Sequence, residues 1–325
     1  MQAPNDGLLD ALPSSALVEL RHLRYFIAVA ESGSFRLASE RINITQPAIT
    51  RQIHDLESIL GATLFKRTAR GVELTAAGEL YLREARKAVE TVLAATVAVR
   101  RFAAGESGTL RLGVVDNASW DGPVPDTLRT LQRDLPQLAI KVSALNTPEQ
   151  YEALRAGSLD GGFVYVFGDT PAGIATVELT QHEVVLAVPS DWPLAKRRSV
   201  SLRDLHDLPI VSFPRHIYPA YYDALIAACR HGGLTLRVTQ EEQTESAILS
   251  LVSAGIGAAL VNSANRSRAP VRIEFVPIKP SPVRLPLAFA YASANDNPAL
   301  ARLLNVLNAG VAHASHRARV VPGGR

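Results

Sequence analysis

The sequence has one cysteine and one methionine, no apolar run near 18 residues, and no basic residue before Arg21. One cysteine excludes an internal disulfide and a cysteine-built metal cluster, and it fits a reducing cytoplasm. Without a long apolar run we expect no helical membrane span, and without a charged leader no secretory signal. Catalytic signatures are missing too. No Gly-x-Ser-x-Gly surrounds Ser119, and no Gly-x-Gly-x-x-Gly or Walker sequence points to a nucleotide. His216, His231, His313 and His316 lack the spacing of metal ligands. No coherent acid–base or nucleophile set remains, so we expect no enzyme, no metal and no cofactor. An excess of one charge is scarce as well, with 34 Lys+Arg against 31 Asp+Glu.

What is present is length and an uneven layout. At 325 residues and 47% hydrophobic, the chain can bury two or three cores. Between Leu20 and Arg101 there are 13 Lys+Arg against 8 Asp+Glu, and from Thr109 to Gly310 there are 18 against 19. The positive excess therefore sits in an N-terminal block, as in a polyanion-binding module joined to a neutral one. Residues 1–19 read as a flexible extension and 311–325 as a flexible tail. Ala104-Gly105-Glu106-Ser107-Gly108 is a short linker between the blocks.

In the basic block, apolar residues at helical spacing from Leu20 to Ala30 end at Gly33, and Ser34 is placed to cap a second helix to Arg41. Asn43 suits the left-handed turn between helices. Thr45 reads as the N-cap of a third helix, Pro47 falls in its first turn, and Gly61 closes it. On a helical wheel Ile49, Ile53 and Leu56 form one buried stripe, while Gln46, Pro47, Thr50, Arg51 and His54 lie away from it. Gln pairs two-point with adenine, Arg with guanine or phosphate, and Pro and Thr offer apolar contact to a thymine methyl. Taken alone, that face fits a solvated surface equally well. The next segment favours DNA. Leu64 to Leu74 is a hairpin with Lys66, Arg67 and Arg70 at a glycine turn, a wing suited to phosphate or the minor groove. From the N-cap Thr75 a helix continues to about residue 103. Tyr81, Ala85, Ala88, Val92, Ala95 and Val99 repeat along it as a heptad seam that calls for a partner helix, and the seam continues to Phe102. A dimer would set two reading helices on a near-palindromic double-stranded site.

From Thr109 short β-rich runs alternate with helical stretches, a pattern of parallel sheets covered by helices. Ligands of open α/β sheets sit beyond the carboxyl ends of strands. Candidate contacts at such turns are Asn117, Ser119, Asn146, Thr147 and Thr244, with Phe213 and Arg215 adding an aromatic wall and a cation. Helix N-termini and hydroxyls suit an organic anion. N-capping is the commoner role of each hydroxyl.

Residues 20–80 resemble the winged helix-turn-helix of LysR-type transcriptional regulators. The likeness runs through Leu23-Arg24-Tyr25-Phe26, Gly33-Ser34-Phe35, Thr45 to Ile53, Leu56-Glu57, Leu60-Gly61, Leu64-Phe65 and Leu74 to Gly78. The family's DNA-contacting glutamine, proline and arginine fall on Gln46, Pro47 and Arg51, and its usual serine is Thr50 here. The second block resembles the same family through Leu135-Pro136, Leu154 to Asp160, Trp192 to Ala195 and Leu251 to Gly257. Pro214-Arg215, Pro219 and Tyr222-Asp223 are similar to the branch that answers aromatic-catabolite acids. Where the family usually has proline after Leu260-Val261, Asn262 stands. Peroxide-sensing members need a thiol pair, which a lone Cys229 cannot supply.

The resemblance implies three parts. A winged helix-turn-helix (all-α with a β-wing) covers 20–74, and a linker and dimerisation helix covers 75–103. A periplasmic-binding-protein-like α/β effector domain covers 109–310, with subdomain I at about 109–167 and 270–310 and subdomain II at about 168–269. It further implies a cytoplasmic homodimer or homotetramer that binds a small organic acid, of aromatic type in that branch, and works with RNA polymerase at a promoter. The rival reading is a solute-binding protein of a transport system, which the basic N-terminal block and the missing leader disfavour.

Overall fold

The structure, a computed structural model, describes residues 18–69, 71–115, 118, 122–268 and 270–320. Contacts divide the chain between Arg100 and Arg101. The first unit opens with α1 (Leu20–Ser32), α2 (Phe35–Arg41) and α3 (Gln46–Leu60). Gly33 and Gly61 end α1 and α3 in the left-handed conformation, and Asn43 takes φ 56° in the turn before α3. Ser34 caps α2 by accepting from the Leu37 N–H. Thr45 has the extended backbone of a cap, but its hydroxyl makes no capping bond, which corrects half of that expectation.

The wing is an antiparallel hairpin of β1 (Phe65–Thr68) and β2 (Gly71–Leu74). One carboxylate oxygen of Glu57 accepts from the Leu64 and Phe65 N–H groups at 2.6 and 3.2 Å, which ties α3 to the wing. Gly33 accepts from Val72 at 3.0 Å, which ties α1 to it. The core of this unit is Phe26, Val29, Ile49, Ile53, Leu56 and Leu64. Thr75 then caps α4 (Ala76–Ala103) through the Gly78 N–H.

The second unit is a mixed sheet structure in two lobes. In the first lobe β3 (Gly108–Val114) lies parallel to β4 (Leu138–Ala144) and β5 (Gly161–Tyr165), joined through α5 (Pro123–Asp134) and α6 (Thr147–Arg155). Gln150 of α6 is fully buried over this sheet and donates to Leu145 and Phe163 carbonyls. A Cβ at Gly113 or Gly162 would collide with it. The 16-residue β6 (Ile174–Pro189) then runs through both lobes.

In the second lobe β7 (Pro209–Ser212) and β8 (Arg237–Glu241) are parallel, with α7 (Pro219–His231) between them in sequence. Next come α8 (Glu245–Ser253), β9 (Ala259–Asn262) and β10 (Ile273–Pro277). β11 (Arg284–Ala292) and α9 (Pro298–Val320) return to the first lobe. The first half of β6 pairs with β11, and its second half pairs with β9 and β10.

Three expectations change. The sheets are not wholly parallel, because β6, β9, β10 and β11 pair antiparallel. The lobes exchange within β6 near Glu183 and again between β10 and β11, so residues 270–277 belong to the second lobe and 174–183 to the first. The last helix continues to Val320, into the segment 311–325 expected as a flexible tail. Among the described residues, no helix is long and apolar enough to cross a membrane.

Candidate DNA surface and effector cavity

On α3 the buried positions are Ile49, Ile53 and Leu56, and Gln46, Pro47, Thr50, Arg51 and His54 are all exposed. The α3 stripe is held by the α1 and wing contacts, which leaves the other face to solvent. Thr50 donates its hydroxyl proton to the Gln46 carbonyl at 2.8 Å, which leaves its oxygen as an acceptor and its methyl exposed. Lys66 and Arg67 are exposed on β1, and Lys66 pairs with Glu73 across the hairpin at 3.1 Å. Arg70 lies outside the described residues.

The heptad seam divides. Ala85 is buried, and Tyr81 sets its ring edge against Phe26 at 5.0 Å, with burial raising its phenol above the ordinary range. Those two positions therefore take part in the winged-helix core. Ala88, Val92, Ala95 and Val99 are exposed, as is Phe102. Beside the seam, Glu31 accepts from Arg41 and Arg86 at 2.8 and 3.1 Å, which joins α1 to α2 and α4. The hydrogen bond from Arg41, helped by Arg86, holds the Glu31 carboxyl below its usual value.

In the second unit a cavity of about 300 Å³ opens between the lobes. The start of α6 contributes Thr147, Pro148 and Tyr151, and β5 with the loop beyond it contributes Tyr165 and Phe167. The second lobe brings Phe213, the Tyr218 to Tyr221 stretch at the start of α7, and Gln243 to Glu245 at the start of α8. Asn262 sits at its floor, where it donates from Nδ2 to the Tyr165 hydroxyl at 2.6 Å. That hydroxyl lies 2.9 Å from His182 Nδ1. Burial pushes the Tyr165 and Tyr221 phenols well above their ordinary range, and the Glu245 charge adds to it. Burial pushes His182 the other way, toward its neutral form.

Of the expected ligand contacts, Thr147, Phe213 and Thr244 line this cavity. Thr147 Oγ1 also accepts from the Tyr165 N–H at 3.3 Å, and Thr244 caps α8 through the Ala247 N–H. Asn146 is elsewhere. It forms a reciprocal cap with Glu149 at the α6 N-terminus. Arg215 is also outside, held by two hydrogen bonds to Asp223 at 2.8 and 2.7 Å. Asn117 and Ser119 lie outside the described residues.

The residues that were missed are chiefly tyrosines and Glu245. Their signal was faint but present: helix starts after proline, at Thr147-Pro148 and Tyr218-Pro219, carry aromatic residues within a turn. Asn262, where the family usually has proline, is explained by its bonds. Its N–H donates to Glu245 and its side chain to Tyr165, and proline could make neither.

Residues 20–79 match the bacterial regulatory helix-turn-helix protein, lysR family, and residues 103–312 match the LysR substrate binding domain. The transcriptional regulator AlsR of Bacillus subtilis is 33% identical over 90% of this chain and 96% of its own length. TfdS of Cupriavidus pinatubonensis is 34% identical over 90% of this chain and 99% of its own. The LysR family regulator CbnR superposes with a TM-score of 0.80 at 31% identity, covering 89% of this chain and all of that one. CbnR with its target DNA superposes at 0.78 and 30% identity, covering 90% and 100%. Matches to regulators across both units leave neither an enzyme nor a transport protein as the account. The chain belongs to the LysR family of transcriptional regulators.

Proposed function

We propose that the exposed side of α3 reads base edges with Gln46, Pro47, Thr50, Arg51 and His54, while Lys66, Arg67 and Arg70 hold phosphate or the minor groove. The observation that carries this is the clean division of α3 into a buried apolar stripe and a polar side whose cation is unburied. A relative solved on its target DNA supports it. The exposed seam from Ala88 to Val99 takes a second copy of the chain, since apolar heptads on a solvent-exposed helix favour pairing. The resulting dimer, or a tetramer of two such dimers, sits on a near-palindromic promoter site in the cytoplasm and acts on RNA polymerase.

The inter-lobe cavity is the effector site. At about 300 Å³, with six aromatic side chains in its wall, it suits a compact organic ligand with an aromatic or alicyclic body. A ligand that favours one arrangement of the lobes shifts the arrangement of the protomers on DNA by that difference in affinity. Arg51→Ala lowers operator affinity by about 10- to 100-fold, the range of one lost two-point base contact, and leaves oligomerisation and effector binding intact. Footprinting checks this, and a normal footprint from Arg51→Ala would remove α3 from the role of reader.

A further inference from the structure

We infer that His182 is a positioning residue of the inter-lobe cavity: its imidazole takes the hydrogen of the Tyr165 hydroxyl, which fixes that phenol to Asn262 across the lobes, and a proton on the ring reverses the link. The three residues come from three strands. Tyr165 ends β5 in the first lobe, Asn262 ends β9 in the second, and His182 sits on β6 beside Glu183, where the lobes exchange. Tyr165 and Asn262 are buried and His182 is half-buried.

Donor and acceptor are fixed at every step. Asn262 Oδ1 accepts from the Ala264 N–H at 2.9 Å, so Nδ2 is the end that meets the Tyr165 hydroxyl at 2.6 Å. An amide nitrogen only donates, so the phenol oxygen accepts there and its one hydrogen goes to His182 Nδ1, 2.9 Å away. Nδ1 therefore carries no proton, and the neutral ring keeps its hydrogen on Nε2. Within the link only the imidazole titrates near neutrality, since Asn262 has no ionisable group and burial holds the Tyr165 phenol protonated.

The surroundings keep the ring neutral. On β6 its neighbours Gln181 and Glu183 are exposed, and Arg284 of β11 lies opposite Glu183 and donates to Gln181 at 3.3 Å. β11 sets Leu285 opposite His182 itself. The Glu245 carboxylate of α8 meets the link through Asn262, accepting its backbone N–H at 3.2 Å. After β9, Ser263 accepts from the Glu183 N–H, and Arg266 donates to the Phe275 carbonyl. On α6, Glu149 is held in its cap with Asn146, and Tyr151 lines the cavity. Burial is what lowers the imidazole below its ordinary value.

Acid changes the sense of the link. A second ring hydrogen puts an N–H on Nδ1, facing a phenol oxygen that already accepts from Asn262. The Tyr165 hydrogen loses its acceptor and turns to the cavity that Tyr165 lines. The hold between the lobes loosens, and the phenol meets the occupant of the cavity as a donor. That last step rests on the cavity being the effector site.

The test is hydrogen–deuterium exchange of the ligand-free, full-length protein, read on the peptide around Asn262 and corrected for intrinsic exchange. Between about pH 7.5 and about pH 4.5, protection there should fall by about 2- to 10-fold, the worth of one hydrogen bond, with a midpoint below the ordinary histidine value. His182→Gln, whose amide oxygen accepts the phenol hydrogen without titrating, should hold its neutral-pH protection throughout. Tyr165→Phe should show weak protection across the whole range. A flat profile in the parent protein overturns the inference whether or not the variants fold, and so does an equal fall in His182→Gln or Tyr165→Phe. No ligand enters the measurement, so its failure leaves the effector reading standing. That reading falls separately if a cavity-filling Ala220→Trp leaves regulated DNA binding in cell extract unchanged.

Discussion

Asp204 shows how a single half-buried carboxylate is shaped by its neighbours. Backbone and hydroxyl donation from Ser201, with Arg197 beyond, holds its carboxyl at about 2, below the ordinary 3.8. A value depressed by folding contributes stability above the ordinary range and loses it as pH falls toward the folded value. Thermal melts of Asp204→Asn and the parent protein should therefore differ fully at about pH 6, differ less below about pH 4, and converge only as pH falls through about 2. Asp160 follows the same sign. Burial opposes its charge, but Arg111, Asn297 and Asn295 outweigh that and hold its carboxyl low. Residue identity alone did not predict the Arg111–Asp160 pairing, because the two are 49 positions apart and meet only through parallel β3 and β5.

The wing is an element whose geometry depends on a close approach. Gly71 has φ 139°, and a Cβ there would run into the Gly33 carbonyl that accepts from Val72. Gly71→Ala should destabilise the protein by about 1–3 kcal/mol, through backbone strain and the displaced hydrogen bond. A lowered melting temperature together with weakened operator binding checks it; an unchanged melt would remove the close approach as a constraint. The helices of this unit were readable from sequence because their stops are local: Gly33, Asn43 and Gly61 all sit in the left-handed region where a chain break was expected. The seam of α4 was only half readable. Heptad spacing does not say which helix face is already occupied, and Phe26 and the wing take up Tyr81 and Ala85 first.

For the two-lobed unit as a whole, the contact of interest is Asn262 on Tyr165, a hydrogen bond between residues 97 positions apart at the floor of the cavity. Asn262 is 2% exposed, so its bonds are made inside the fold at the cavity wall. Asn262→Ala should cost about 1–3 kcal/mol, the usual penalty for leaving buried polar groups unpaired. Chemical denaturation checks the loss. A change in effector affinity larger than the change in stability would mark this bond as part of the ligand response, whereas equal stability of the two proteins would make it incidental.

Much about this protein was determined by order along the chain. The helix-turn-helix follows from local caps, turns and one apolar stripe, and the early strands and helices of the second unit from short periodic runs, since those interactions span a few residues. The long β6, the strands β10 and β11, and the exchange between lobes were decided only in three dimensions. The first half of β6 mixes apolar and polar residues and buries none of them fully, and it is fixed as a strand by pairing with β11. The chemistry of the cavity was decided there too. A net charge near zero says nothing about where one buried glutamate and six aromatic rings converge, and only the packing of α6, α7 and α8 around the strand ends brings them to one space.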